Sequence, residues 1–436
     1  MILTAKNKII HMTEIFHLKI FGHAMGSEMR KFLTNLGITM ASTIFTGVVM
    51  LSVNIVAGRL MGPVEYGKYQ LVYSIANILI VFILLGINIS VGRKDFTAEN
   101  NEAEKGKIIG TSLWFTIINM LFLGIALYFL KGLLLNFNVS PEIIYVAIFF
   151  SMGLALYNLT KSFFQAEHNF IFIAKYEIVN YIAVSIFFSA ALFFGSKGFE
   201  QILYALTLGC FLFSSMTIYR IRKHIFNFDF KTLRSLMRYG FLAFVVITSG
   251  LLISSFDRII INGFMGQESL GIYSAYVLSS SIMIMFIVKV FSLVFFPAVA
   301  KTKDKNSLVA VVKKINRLEK LFILPIFIFN LLAIFVFMKL YGSKYDFNVY
   351  FLILVATGST LSLFTYIRQW FLAAIGERGI KISLQIVAFT AILSVVYYIS
   401  LVREFHLLGA FIALFLVNLT FYIFNNYYIN KNYRHV

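Results

Sequence analysis

Apolar stretches long enough to cross a bilayer follow one another from about residue 34 to residue 429, and this limits the fold before anything else does. The run LFILPIFIFNLLAIFVFMKLY, Leu321–Tyr341, carries one charge in 21 residues. A helix needs about 20 apolar residues to traverse the hydrocarbon core, whereas membrane β-strands are short and alternate apolar with polar residues. The chain is therefore expected to be all-α and polytopic. Twelve spans are predicted, at roughly 34–61, 70–92, 108–130, 142–165, 176–195, 199–219, 239–262, 271–298, 318–340, 347–371, 381–402 and 408–429. Composition agrees, because a soluble chain of 436 residues with 60% hydrophobic and 13% charged residues would lack a charged skin.

The formal charge of +19 could indicate nucleic acid, so the placement of the cations matters. With twelve spans, the Lys and Arg outside them divide 29 to 7 between the two sides. That asymmetry follows the positive-inside rule and puts both termini in the cytoplasm. Topology accounts for the charge, and no nucleic-acid partner is implied. The single cysteine, Cys210, lies in an apolar run and implies neither a disulfide framework nor a zinc site.

The expected organisation is a cytoplasmic segment (1–33), a six-helix bundle (34–219), a linker (220–238), a second six-helix bundle (239–429) and a tail (430–436). No signal peptide is visible in the first segment, and Met12, Met25 and Met29 are alternative starts. The linker reads as a charged helix able to lie on the membrane, with Ile221, Ile225, Phe228, Leu233 and Leu236 towards lipid.

A repeat relates the bundles. RLMGPVEYGKY (59–69) returns as NGFMGQESLGIY (262–273), and a shift of 204 aligns Met61 with Met265, Gly62 with Gly266, Gly67 with Gly271 and Tyr69 with Tyr273. Six spans per half is an even number, so the halves enter the membrane in the same direction. They are then related by a pseudo-two-fold axis along the membrane normal, as in transporters that bind substrate between their halves.

IVAGRLMGPVEYGKYQLVYSIANILIVFILLGINISVGR resembles the opening hairpin of the Wzx-type polysaccharide flippases. These belong to the multidrug/oligosaccharidyl-lipid/polysaccharide exporter superfamily. SSFDRIIINGFMGQESLGIYSAY, LYGSKYDFNVYFLILVATG and HLLGAFIALFLVN resemble its seventh, tenth and twelfth spans. The resemblance covers the chain from Thr34. It implies a flippase that moves undecaprenyl-diphosphate-linked oligosaccharide repeat units across the bacterial inner membrane by alternating access, for O-antigen or capsule. It also implies a polysaccharide polymerase and a chain-length regulator as protein partners.

Ionisable groups inside hydrocarbon are costly and mark candidate sites. Lys289, in IMIMFIVKVFSLVFF, is the most deeply placed cation. With Arg368 or Lys161 it would hold phosphates at the inner face, while Arg59 or Arg258 would receive them outside. Asp257, the one acid within a span interior, is a coupling or salt-bridge candidate; adjacent to Arg258, it points about 100° away and should not pair with it. Tyrosines at span ends, Tyr397, Tyr398, Tyr422, Tyr427 and Tyr428 among them, read as interfacial belts. No catalytic constellation, metal-spaced cluster or phosphate loop is present, so neither an enzyme nor a cofactor is expected. The alternative within the superfamily is a cation-coupled drug or small-molecule exporter, which the scarcity of intramembrane acids disfavours. A polymerase or O-acyltransferase is weaker still, because a polymerase would be expected to carry a large external loop and every outside connection here is short.

Overall fold

The computed structural model describes residues 27–94, 102–135, 138–195, 197–300 and 305–433, so the expected cytoplasmic segment lies mostly outside the described residues. The chain is helical: α1 (Ser27–Met61), α2 (Pro63–Leu84), α3 (Ile87–Gly92), α4 (Glu102–Leu135), α5 (Pro141–Ala166), α6 (Phe170–Phe194) and α7 (Glu200–Ile221) form the first half. The second holds α8 (Phe230–Ser254), α9 (Phe256–Ala300), α10 (Lys305–Tyr341), α11 (Val349–Ala374) and α12 (Glu377–Tyr433). Among the described residues, ten stretches are long and apolar enough to cross a membrane. Two of them, of 52 and 54 residues, break at Gly266 (φ 79°, ψ −175°) and His406 (φ 52°, ψ −132°), where two of the expected spans would join.

The linker differs from expectation. Asp229 accepts from the Thr232 backbone N–H at 2.8 Å and caps α8, so that helix begins at Phe230. Those hydrogen bonds from Thr232 lower the Asp229 pKa from the ordinary carboxylate value. Between α7 and α8 only Arg222–His224 forms a helical turn. The segment docks on α4: His224 and Asn227 cover Gly106 and Gly110, and the Asp229 N–H donates to Thr111 Oγ1 at 2.9 Å. Ile221 and Leu236, expected to face lipid, are 4% and 1% exposed.

The repeated turn explains how the halves meet. Gly62 and Gly266 share the same extended, positive-φ conformation (φ 82°, ψ 173° and φ 79°, ψ −175°), which a residue with a Cβ rarely adopts. Each turn lets its two helices reverse at one end of the molecule. Beyond the turns, α2 and α9 cross so closely that a Cβ on Gly67 would overlap the Gln267 carbonyl, and one on Gly271 would overlap the Pro63 carbonyl. Pro63 and Gln267 are themselves 204 residues apart, so one contact is made twice across the pseudo-two-fold axis. Small residues at such a crossing let backbones approach, which drives helix association in lipid, where hydrophobic attraction between helices is absent.

Flanking contacts follow the same symmetry. Tyr345 Oη, before α11, donates to Gly58 O at 3.0 Å; Asn138, before α5, donates from Nδ2 to Gly263 O at 3.0 Å and accepts from Asn262 Nδ2 at 3.3 Å. Gly58 and Asn262 are again 204 apart. Tyr66 and Tyr341 share a hydrogen bond of 3.0 Å across the halves. At this turn end one apolar core runs through both halves, joining residues of α1, α2, α5 and α7 to residues of α9–α12. Towards the opposite, basic end it divides: one cluster belongs to α9–α12, the other to α2–α5 with the start of α8. Towards the basic end the halves also meet, where Ser90 Oγ donates to Leu236 O at 2.8 Å and a Cβ on Gly86 would overlap the Gly240 carbonyl.

Candidate functional site

The site starts from a break in the second half. α8 ends at Ser254, and Ser255 (φ −135°, ψ −21°) departs from helical geometry before α9 begins at Phe256. Asp257 thus occupies a first helical turn, where unpaired amides and the helix dipole favour a carboxylate. Its Oδ1 accepts from the Arg258 backbone N–H, and its Oδ2 from Tyr273 Oη, each at 2.8 Å. Tyr273 and Tyr398 share a further hydrogen bond of 2.8 Å. Tyr398 is therefore a buried partner rather than part of an interfacial belt.

Arg258 leaves the helix in another direction, as its position predicts. Its Nη1 donates to Ser74 Oγ on α2 at 3.2 Å, across the boundary between halves, and its buried Nε has no hydrogen-bond partner. A buried, unpaired donor costs about 1–3 kcal/mol, a cost that an acceptor in the adjoining space would remove.

That space lies on both sides of the guanidinium. In the first half a cavity of about 300 Å³ is walled by α1, α2 and α6, with Asn54, Gln70, Tyr69, Tyr73 and Tyr181 facing it. Arg258 is the one charged residue in its lining among the described residues. In the second half a cavity of about 230 Å³ holds Asp257, Ser280, Ser281, Ser359, Ser362 and Asn418, and Arg258 borders it too. The first cavity suits an anionic group with hydroxyls: arginine supplies charged donors, amides supply paired donors and acceptors, and tyrosines supply flat faces.

The remaining candidates do not join Arg258. Lys161 on α5 pairs with Glu177 on α6, which also accepts from Tyr157 Oη at 3.2 Å. Arg368 on α11, 2% exposed, pairs with Glu319 on α10, which also accepts from Tyr422 Oη. The expected cationic inner mouth is thus neutralised in this state: a carboxylate from an adjacent helix, itself held by a tyrosine, covers each cation. Burial requires that partner, since an isolated ion would pay its full desolvation cost. Arg59 stays exposed beside the Gly342 turn. Lys289 lies on α9, with its side chain outside the described residues.

Sequence reading did not single out Glu319, Tyr73, Tyr181 or Ser74. Glu319 begins an apolar run next to cationic residues, and there a boundary acid looks solvated. The tyrosines could have been found from the repeat, because its aligned pair Tyr69 and Tyr273 both reach the site, one lining the first cavity and the other holding Asp257.

Comparison with known proteins fits this architecture. The lipid II flippase MurJ in an inward closed conformation superposes with TM-score 0.67 at 14% identity, covering 91% of this chain and 89% of that one. An inward-facing multidrug resistance MATE family transporter of the MOP superfamily gives 0.59 at 14% identity over 92% and 98%. A MOP superfamily transporter from Pyrococcus furiosus, described as having a binding pocket of reverse polarity, gives 0.56 at 15% over 93% and 96%. At these identities the likeness establishes the fold alone. No curated protein matches the chain. A family model described as "Polysaccharide biosynthesis protein" matches residues 55–349, well over half of the sequence. By that match the chain belongs to the polysaccharide biosynthesis protein family.

Proposed function

We propose that the protein is a flippase that carries polyprenyl-diphosphate-linked oligosaccharide repeat units from the cytoplasmic to the outer leaflet of a bacterial inner membrane, for an O-antigen or capsule-type polysaccharide. The observation that carries this reading is the cavity of the first half, whose single lining charge is Arg258 among amides and tyrosines. A drug exporter selecting cations would need carboxylate there. Diphosphate is a double anion at neutral pH, and sugar hydroxyls match the amide and tyrosine lining.

The turn end, where one apolar core runs through both halves, is sealed, which suits a cargo loaded from the basic side. The 29-to-7 bias of cations supports a cytoplasmic position for that side and for both termini. Asp257, which lines the second cavity, is the candidate for a driving cation or proton.

The test uses a strain lacking the gene. Surface polysaccharide should disappear while single lipid-linked units accumulate facing the cytoplasm. Units accumulating on the outer side would identify a polymerase, and unchanged polysaccharide would refute the flippase.

A further inference from the structure

Asp257 and Arg258 carry opposite charges at neighbouring positions, and among the described residues no charged group meets either. The Asp257 carboxylate accepts from an amide N–H and from the Tyr273 hydroxyl, both neutral donors. Arg258 donates to a serine and keeps its buried Nε without a partner. An ion removed from water needs a counter-ion to offset its lost hydration. Asp257 borders the second-half cavity, while Arg258 borders both that cavity and the polar one of the first half. The space beside Arg258 calls for an anion; the space beside Asp257 calls for a cation. A carboxylate can accept about four hydrogen bonds, and two of these are in use.

The rest of that lining has the same preference. Its five serines all spend their proton on a carbonyl of their own helix: Ser254 on Gly250 O at 3.2 Å, Ser280 and Ser281 on Val277 O at 2.9 and 2.7 Å, Ser359 on Ala356 O at 3.1 Å and Ser362 on Ser359 O at 2.7 Å. Asn418 donates from Nδ2 to Leu414 O at 2.8 Å, which leaves its Oδ1 for a ligand. Apart from Arg258, the Tyr366 hydroxyl and the second N–H of Asn418, the described polar lining offers oxygen lone pairs alone. A protonated amine is the complement of such a chamber, with three donors, one positive charge and no acceptor. We propose that the second-half cavity is a subsite for a protonated amine on the sugar next to the diphosphate, so that the cargo is zwitterionic: its diphosphate meets Arg258 and its ammonium meets Asp257. This rests on the reading of the cargo as a diphosphate-linked sugar, and adds the substituent by which that sugar is chosen. Because the two residues are adjacent and leave the helix about 100° apart, one head group can reach both.

The test is binding to the full chain in phosphatidylcholine nanodiscs, whose quaternary ammonium has no N–H to donate. Two probes are compared, a polyprenyl diphosphate carrying a hexosamine with a free amine and the same lipid with that amine acetylated. At about pH 6.5, where such an amine is protonated, the free-amine lipid should bind at least tenfold more tightly, the worth of hydrogen bonds to a charged group. Asp257→Asn should bring the two affinities together. Ser362→Ala, which removes one acceptor and leaves the carboxylate, should narrow the difference about threefold. Replacing sodium by potassium in the buffer should leave the ratio unchanged. Equal affinities in the unaltered protein would overturn the amine subsite and leave the diphosphate-linked cargo standing. Binding of both lipids that rises together with sodium, and loses that rise in Asp257→Asn, would show that Asp257 holds a free ion, and would also overturn it. Failure of both lipids to bind would overturn the subsite and the cargo reading together.

Discussion

Replacing Gly67 by alanine tests the closure of the turn end directly. The added methyl would stand where the Gln267 carbonyl oxygen is, and backbone cannot step aside as a side chain can. The α2 and α9 segments must separate, and overpacking of this kind costs roughly 1–3 kcal/mol. The cost falls only on the state in which the helices touch. Taking about 2 kcal/mol, at about 1.4 kcal/mol per factor of ten, the closed state should lose roughly thirtyfold in relative population. Thr46 lines the cavity below the crossing and is buried in the closed state. In a protein carrying Cys210→Ser and Thr46→Cys, a membrane-impermeant maleimide applied from the turn side should react up to about thirtyfold faster once Gly67→Ala is added. Gly271→Ala should do the same, and the double variant should fall short of the sum because both changes part the same helices. A folded Gly67→Ala protein with unchanged labelling would refute the assignment of the crossing as the seal.

Four further outcomes follow from the geometry. Arg258→Ala should weaken binding of a polyprenyl diphosphate roughly ten- to a hundredfold, the worth of a charge-assisted hydrogen bond, and Arg258→Lys should recover only part; titration in nanodiscs measures both. Glu319→Ala leaves Arg368 buried without its counter-ion and should destabilise the protein by about 3–5 kcal/mol, read as loss of monodisperse material on heating, whereas the paired change Glu319→Met with Arg368→Met should restore most of it. Tyr66→Phe removes one hydrogen bond between the halves and should raise Thr46→Cys labelling about threefold, since such bonds average about 0.6 kcal/mol in membranes. The cap at Asp229 should respond to acid: its folded pKa is lowered, so its stabilisation is complete above the ordinary carboxylate value and is lost as pH falls through the lower, folded one. Hydrogen exchange at the Thr232 amide should therefore be protected equally at pH 8 and pH 5 apart from its intrinsic rate, and lose protection below about pH 4, while Asp229→Asn removes that acid dependence.

The fold was legible because apolar length is a one-dimensional property. Runs such as Leu321–Tyr341 state a membrane crossing without reference to any neighbour, and the 204-residue repeat showed that the crossings come in two sets. The linker was misread because amphipathic spacing records that Ile221 and Leu236 share a face but not whether lipid or protein covers it; the apolar cluster of α2–α5 does. The site was legible in part. Asp257 and Arg258 stood out as charges inside a span, and both reach a cavity. Lys161 and Arg368 stood out by the same rule, yet each is matched by a carboxylate from another helix, 16 and 49 residues away. A charge in a span announces a cost. Only the packing tells whether the chain or a ligand meets it. Tyr398 makes the same point from the other side: an aromatic at a span end reads as a belt until a hydroxyl partner is found inward.

The paired crossing of α2 and α9 has a consequence for how the chain can change. Gly67 meets the carbonyl of Gln267, and Gly271 meets that of Pro63, so each half presents both a glycine and the carbonyl that the other half's glycine receives. That is the self-complementary surface of an isologous dimer, closed within a single polypeptide. A substitution in one copy of the turn is felt at once by the other copy, and the two repeats are bound to a shared history at these positions while the spans around them drift apart.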